Sequence, residues 1–220
     1  MDDIQGHWAQ TCIEILAQQG IVAGYPDDTF RPERPVTRAE FATIIAKAFP
    51  GVASRPVINF VDVSERYWAA DTIEKVYVTG WLTGYPGRRF RPNLPIPKVQ
   101  AIIALAAGLG YVAERLAEAT LNQVFSDALS IPTYARDGVA AAVEQQLVVN
   151  YPDIKQLRPN KPSTRGEIAA LVCQALSRQA NQASPLSYRL IATLSNSEIR
   201  GAWLTNIDSE VLFSNVGLVT

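Results

Sequence analysis

The chain has 220 residues, 48% of them hydrophobic and 19% charged, with a net charge of −1 at pH 7. That balance supplies a core and excludes a basic stripe for a nucleic-acid backbone. No run of about 18 apolar residues is present to cross a membrane. The acidic opening Met1-Asp2-Asp3 lacks the apolar stretch of a signal peptide.

The first unit, about residues 1–50, reads as helix, loop, helix. Trp8, Ala9, Cys12, Ile13 and Leu16 fall on one helical stripe. A Gly24-Tyr25-Pro26-Asp27-Asp28-Thr29-Phe30-Arg31-Pro32 loop follows, with room for a short strand pair. Thr37 and Glu40 fit a capping box that opens a second helix, striped by Phe41, Ile44, Ile45, Ala48 and Phe49.

The second unit, about 58–110, repeats the pattern. Phe60-Val61-Asp62 leads into Trp68-Ala69, then Gly84-Tyr85-Pro86 and Phe90-Arg91-Pro92. Pro97 and Gln100 replace the capping pair, so this cap is expected to be weaker. The third unit, about 123–178, carries Phe125-Ser126-Asp127, Tyr134-Ala135, Asn150-Tyr151-Pro152, Leu157-Arg158-Pro159 and a Thr164/Glu167 capping box. A unit this small cannot bury a sufficient core alone, so residues 1–178 are expected to form one mainly α domain whose repeats share their apolar stripes. Residues 179–197 read as a Gln/Asn/Ser/Ala-rich linker. Residues 198–220 read as a strand-like tail or a disordered extension.

Arg38, Lys98 and Arg165 recur in the first turn of each second helix, where the helix dipole disfavours a cation. Unpaired N–H groups at that end would suit an anion, so the cations are candidates for holding an acidic group. The competing reading is a salt bridge to a neighbouring repeat or a solvated side chain. Asp3, Asp62 and Asp127 can meet sugar hydroxyls, or cap a helix or turn. Trp8, Trp68 and Tyr134 are read first as core and second as sugar platforms. Tyr25, Tyr85 and Tyr151 line a groove or pack a turn. Gly24 and Gly84 are expected at positive φ, which Asn150 also tolerates. Arg31, Arg91 and Arg158 are expected to form loop salt bridges. No cofactor or metal site is expected: His7 has no partner pattern, and Cys12 and Cys173 read as buried thiols, with a bond between them as the alternative.

The Gly-His-Trp-Ala at 6–9, Gly-Tyr-Pro-Asp at 24–27, Phe-Arg-Pro at 30–32 and Thr-Arg-Ala-Glu at 37–40, with their later copies, resemble S-layer-homology (SLH) modules. The resemblance implies a pseudo-threefold spindle with three central helices and grooves between neighbouring repeats. It implies non-covalent anchoring of an exported protein to cell-wall polysaccharide, often acidic or pyruvylated, or to peptidoglycan, in the extracytoplasmic bacterial envelope. The chain departs from the family pattern at Met1, where an aromatic is usual and a start cut near a domain edge is suggested, and at Lys98, Gln100 and Asn150, which puts at least one groove in doubt. The stretch from Glu198 to Phe213 resembles the opening of glycosyl-hydrolase-like family 10 domains. No catalysis is expected from these residues alone. The alternatives are the targeting half of an envelope glycoside hydrolase and an envelope protein-interaction module.

Overall fold

The computed structural model describes residues 1–182; the readings placed on residues 183–220 lie outside them. The described residues are mainly helical: α1 (Gln10–Gln18), α2 (Arg38–Ala48), α3 (Ala70–Val78), α4 (Lys98–Gly108), α5 (Ala117–Val124), α6 (Arg136–Glu144) and α7 (Arg165–Gln182). Each repeat contributes two helices: α1 and α2, α3 and α4, α6 and α7. The sequence reading has no counterpart of α5, which packs on α6 ahead of the third repeat. Residues 179–182, read as linker, continue α7, because Gln and Ala favour a helix until something stops it.

The helices pair between repeats. α2 packs against α3, α4 against α6, and α7 returns to α1, while α2 and α4 also touch α7. The third repeat therefore closes on the first. One connected apolar core results, with Ile13, Leu16, Phe41, Ile45, Ile73, Ile102, Leu105, Leu171 and Val172 all buried. Cys12 on α1 and Cys173 on α7 are buried, free thiols at the closing seam. Contact with Cys173, reinforced by burial, pushes the Cys12 thiol well above its ordinary range.

A second device closes the ring at the starts of α2, α4 and α7. Val36 N–H donates to Ser163 O (2.9 Å), Ser163 N–H to Ile96 O (2.8 Å), and Ile96 N–H to Val36 O (2.8 Å). Prolines at 35, 95, 97 and 162 flank these residues and stiffen the segments. Of the strand pairing expected inside the loops, only an isolated bridge between Tyr85 and Arg89 is present among the described residues. The other isolated bridges join repeat to repeat.

The caps follow the sequence. Thr37 Oγ1 accepts from Glu40 N–H while Glu40 Oε2 accepts from Thr37 N–H (2.8 Å). Thr164 and Glu167 do the same. Pro97 has no N–H to offer, and the Gln100 side chain goes elsewhere.

Three expectations need correction. Trp68 and Tyr134 are not core residues; they are 63% and 65% exposed. The buried stripe begins one residue later, at Ala69 and Ala135, because the small residue lets the helix start lie close to its neighbour and leaves the ring outside. Trp8 is half-buried and stacks on Tyr151, with centroids 5.1 Å apart and planes 17° from parallel. Gly24 and Gly84 are not among the residues at positive φ. They provide space: a Cβ on Gly84 would lie 2.5 Å from Phe60 Cε1, and one on Gly24 would lie 3.1 Å from Met1 Sδ. Met1 thus occupies in the first repeat the place Phe60 takes in the second. Of the three arginines before proline, only Arg31 makes an ion pair among the described residues, to Asp27 at 2.7 Å.

Candidate functional site

The sites of interest are the three junctions where a helix start of one repeat meets the loop of the next. The N–H groups of Arg38 and Ala39 donate to Leu94 O and Pro92 O, those of Lys98 and Val99 to Lys161 O and Pro159 O, and those of Arg165 and Gly166 to Arg34 O and Pro32 O. These helix starts therefore do not offer the unpaired donors expected from the sequence. Loop carbonyls of the adjoining repeat take them, satisfying the orphan groups inside the protein.

The junction cations follow the same direction. Arg38 donates through Nε to Phe90 O (2.8 Å), through Nη2 to Thr83 O (2.8 Å) and through Nη1 to Gln100 Oε1 (2.9 Å). Its guanidinium lies 4.7 Å from the Tyr85 ring centre and 4.6 Å from that of Phe90. Arg165 donates through Nε to Phe30 O and through Nη2 to Ala23 O, both at 2.7 Å, and lies over Phe30 and Tyr25. Lys98 differs: its Nζ sits 3.4 Å from Glu167 Oε1. Burial pulls all three cations below their ordinary pKa values, and Glu167 opposes that pull on Lys98.

The tyrosines sit among these cations. Arg31 lies 4.1 Å from the Tyr25 ring centre, and Arg91 lies 4.7 Å from that of Tyr85. Two junctions therefore carry the same set: a loop tyrosine, the arginine before proline, and the arginine of the preceding helix start. Tyr85 Oη also donates to Gln100 Oε1 (2.9 Å). At the third junction Tyr151 is 51% exposed and stacks on Trp8 instead. The Arg31 and Arg91 contacts were missed in the sequence reading, though the Phe-Arg-Pro recurrence beside Tyr-Pro carried the signal.

Asp3, Asp62 and Asp127 act as two-pronged clamps. Each accepts the backbone N–H of two loop residues, one per carboxylate oxygen: Phe30 and Arg31, Phe90 and Arg91, Leu157 and Arg158. In each pair the arginine is held in the left-handed region, at φ 59°, 57° and 53°. That conformation costs an L-residue on the order of 1 kcal/mol, and the charge-assisted bonds offset it. Slight desolvation opposes ionisation of Asp3, but the Phe30 and Arg31 N–H groups outweigh it and lower its pKa.

Polar and aromatic surface remains outside the core. Trp68, Tyr134 and Tyr151 are exposed. Arg165 is half-buried, and its Nη1 has no hydrogen-bond partner among the described residues. No described helix is long and apolar enough to cross a membrane.

The S-layer homology domain model matches residues 1–42, 59–102 and 124–169, more than half of the chain. An amylopullulanase of Thermoanaerobacterium thermosulfurigenes is 31% identical over 180 residues, covering 82% of this chain and 10% of that protein. A cellulosome-anchoring protein of Acetivibrio thermocellus is 33% identical over 109 residues, covering 47% of this chain and 24% of that protein. Cell surface glycoprotein 1 of the same organism is 32% identical over 113 residues, covering 47% and 5%. The chain spans a quarter or less of the length of these relatives.

Proposed function

The chain belongs to the S-layer homology domain family, and from that premise we propose that it anchors the protein carrying it to the bacterial cell envelope by binding a wall polymer, polysaccharide or peptidoglycan, in the grooves between repeats. The observation that carries this reading is the repeated arginine–tyrosine set at two junctions, together with the exposed rings of Trp68, Tyr134 and Tyr151 that the core does not use. The name of the cellulosome-anchoring relative supports it.

In this reading Arg165 offers its remaining donor to an acidic group of the polymer. Trp68, Tyr134 and Tyr151 support ring faces. Arg38 and Lys98 act from beneath, positioning Tyr85, Gln100 and Glu167. Asp3, Asp62 and Asp127 hold the loops that shape each groove. Several grooves engaged by one chain of polymer add avidity. A second reading, that these repeats target a longer glycoside hydrolase, is favoured by the amylopullulanase match, of which this chain spans a tenth. A reading frame lacking any downstream catalytic domain would remove it.

Co-sedimentation with purified bacterial sacculi tests the anchor. Binding is expected to disappear when the attached polysaccharide is removed by acid and to weaken about tenfold in a Trp68→Ala, Tyr134→Ala variant, whose exposed rings leave the fold intact. Raising salt is expected to weaken it further. Binding that survives acid but falls in the variant would place the anchor on peptidoglycan, whereas binding unchanged by acid, by the variant and by salt would contradict the proposal and point to a protein partner.

A further inference from the structure

The segment joining the first two repeats and the loop of the second repeat border an open cleft of about 380 Å³. It shares loop residues Thr83 and Tyr85 with the Arg38 junction, but its opposite walls, Arg55, Ile58, Phe60 and Tyr77, come from the joining segment and α3. Phe60, Tyr77 and Tyr85 supply aromatic wall, and Gly84 keeps the close approach to Phe60 open. Arg55 and Arg88 supply the charge.

Both arginines are placed by the backbone. Ser54 and Arg55 donate their N–H groups to Val78 O, the last carbonyl of α3, at 2.7 and 3.0 Å. Arg88 sits at φ 52°, and its carbonyl accepts from Val61 N–H. Their side chains are barely used by the fold. Arg55 makes one long bond, Nη2 to Gly80 O at 3.5 Å, and lies 5.8 Å from the Tyr77 ring centre. The Arg88 side chain is exposed and makes no hydrogen bond or ion pair among the described residues. Among the described residues no carboxylate pairs with Arg55 either. The nearby Asp62 has both oxygens engaged by Phe90 and Arg91 N–H. The first repeat carries Asp27-Asp28 where the second carries Gly87-Arg88, so this charge belongs to the second repeat alone of those two.

Two guanidinium groups with no acid partner among the described residues, set around an aromatic wall, match an anion attached to a ring that can lie on that wall. We propose that this cleft is an additional subsite that takes a carboxylate-bearing sugar residue of the wall polymer; the inference rests on the anchor reading above. Two cations bring the carboxylate in, and the rings distinguish a sugar acid from a small inorganic anion.

Nuclear magnetic resonance titration of the whole chain with glucuronate, glucose and inorganic phosphate tests it. Glucuronate is expected to shift the Arg55, Tyr77 and Arg88 amides saturably and to bind about tenfold tighter than either comparison ligand. Arg88→Asp, which copies the first repeat at an exposed position, is expected to abolish that binding without moving the urea midpoint. Arg55→Gln is expected to weaken it about fivefold. Equal affinity for glucose or phosphate, or glucuronate binding unchanged in Arg88→Asp, would overturn the subsite. The anchor is judged separately: sacculi that bind the chain while glucuronate leaves the cleft unshifted sink the subsite alone. Sacculi that fail to bind while glucuronate occupies the cleft sink the anchor.

Discussion

Arg38 and Lys98 stand at equivalent helix starts and are buried to the same degree, each 3% exposed, yet their charges are met in different ways. Arg38 spreads its charge over a planar fork, reaching Phe90 O, Thr83 O and Gln100 while lying against two rings. Lys98 is a point charge on a flexible stem, and it depends on the carboxylate of Glu167. The third residue of the following repeat's second helix meets each of these two cations: neutral Gln100 beside Arg38, anionic Glu167 beside Lys98. In both cases the partner sits in the following repeat.

The largest expected effect breaks the arginine junction. Arg38→Met removes the donors from two loop carbonyls and from Gln100, and is expected to cost about 3–5 kcal/mol by urea unfolding. A loss below about 1 kcal/mol would mean water replaces the fork. At the lysine junction, Glu167→Gln leaves a buried ammonium without its anion and should cost about 2–3 kcal/mol. Adding Lys98→Met should restore at least about half of that loss, since an apolar pair there needs no charge balance. If the double variant were worse than the single, the pair would be a net stabiliser.

Smaller effects test the loops and caps. Asp127→Asn weakens both donations from Leu157 and Arg158 and is expected to cost about 1–2 kcal/mol, with the arginine losing its hold at positive φ. Thr37→Ala should cost about 1 kcal/mol through the lost cap, whereas Pro97→Ala should stay within about 0.5 kcal/mol because no side-chain cap exists there. Acid should act on the first repeat. Desolvation opposes ionisation of Glu40, but Thr37 N–H and Arg34 outweigh it and hold its pKa below 4.5. Asp3 is likewise held below 3.8. Because both folded values are lowered, their stabilisation is fully present above those ordinary values and is lost as pH falls through the lowered ones. Urea midpoints should therefore drop between pH 5 and 3, and the Glu40→Gln variant should drop less.

The helix periods, the two capping boxes and the break at Pro97 were legible because each depends on neighbours close in sequence. The junctions were not. Nothing near Arg38 in sequence names Thr83 or Phe90 as its acceptors, so the helix-start argument left the donors open when a loop of the next repeat fills them. Trp68 and Tyr134 misled for a related reason: they lie beside a helical stripe, and the alanine after each takes the buried seat. Gly84 was correctly singled out, but for φ rather than for the Phe60 ring that only the fold brings against it. The Asp62 clamp was weighed as a cap, and its loop partners lie nearly thirty residues away.

The account rests on the three repeats forming one closed unit rather than a string. Native-state hydrogen exchange at Ile45, Leu105 and Val172, buried residues on α2, α4 and α7, tests this most directly. Ring closure predicts one shared opening free energy at all three, falling together in Arg38→Met. Separate opening energies, or a fall confined to Ile45 and Leu105 while Val172 keeps its protection, would contradict it.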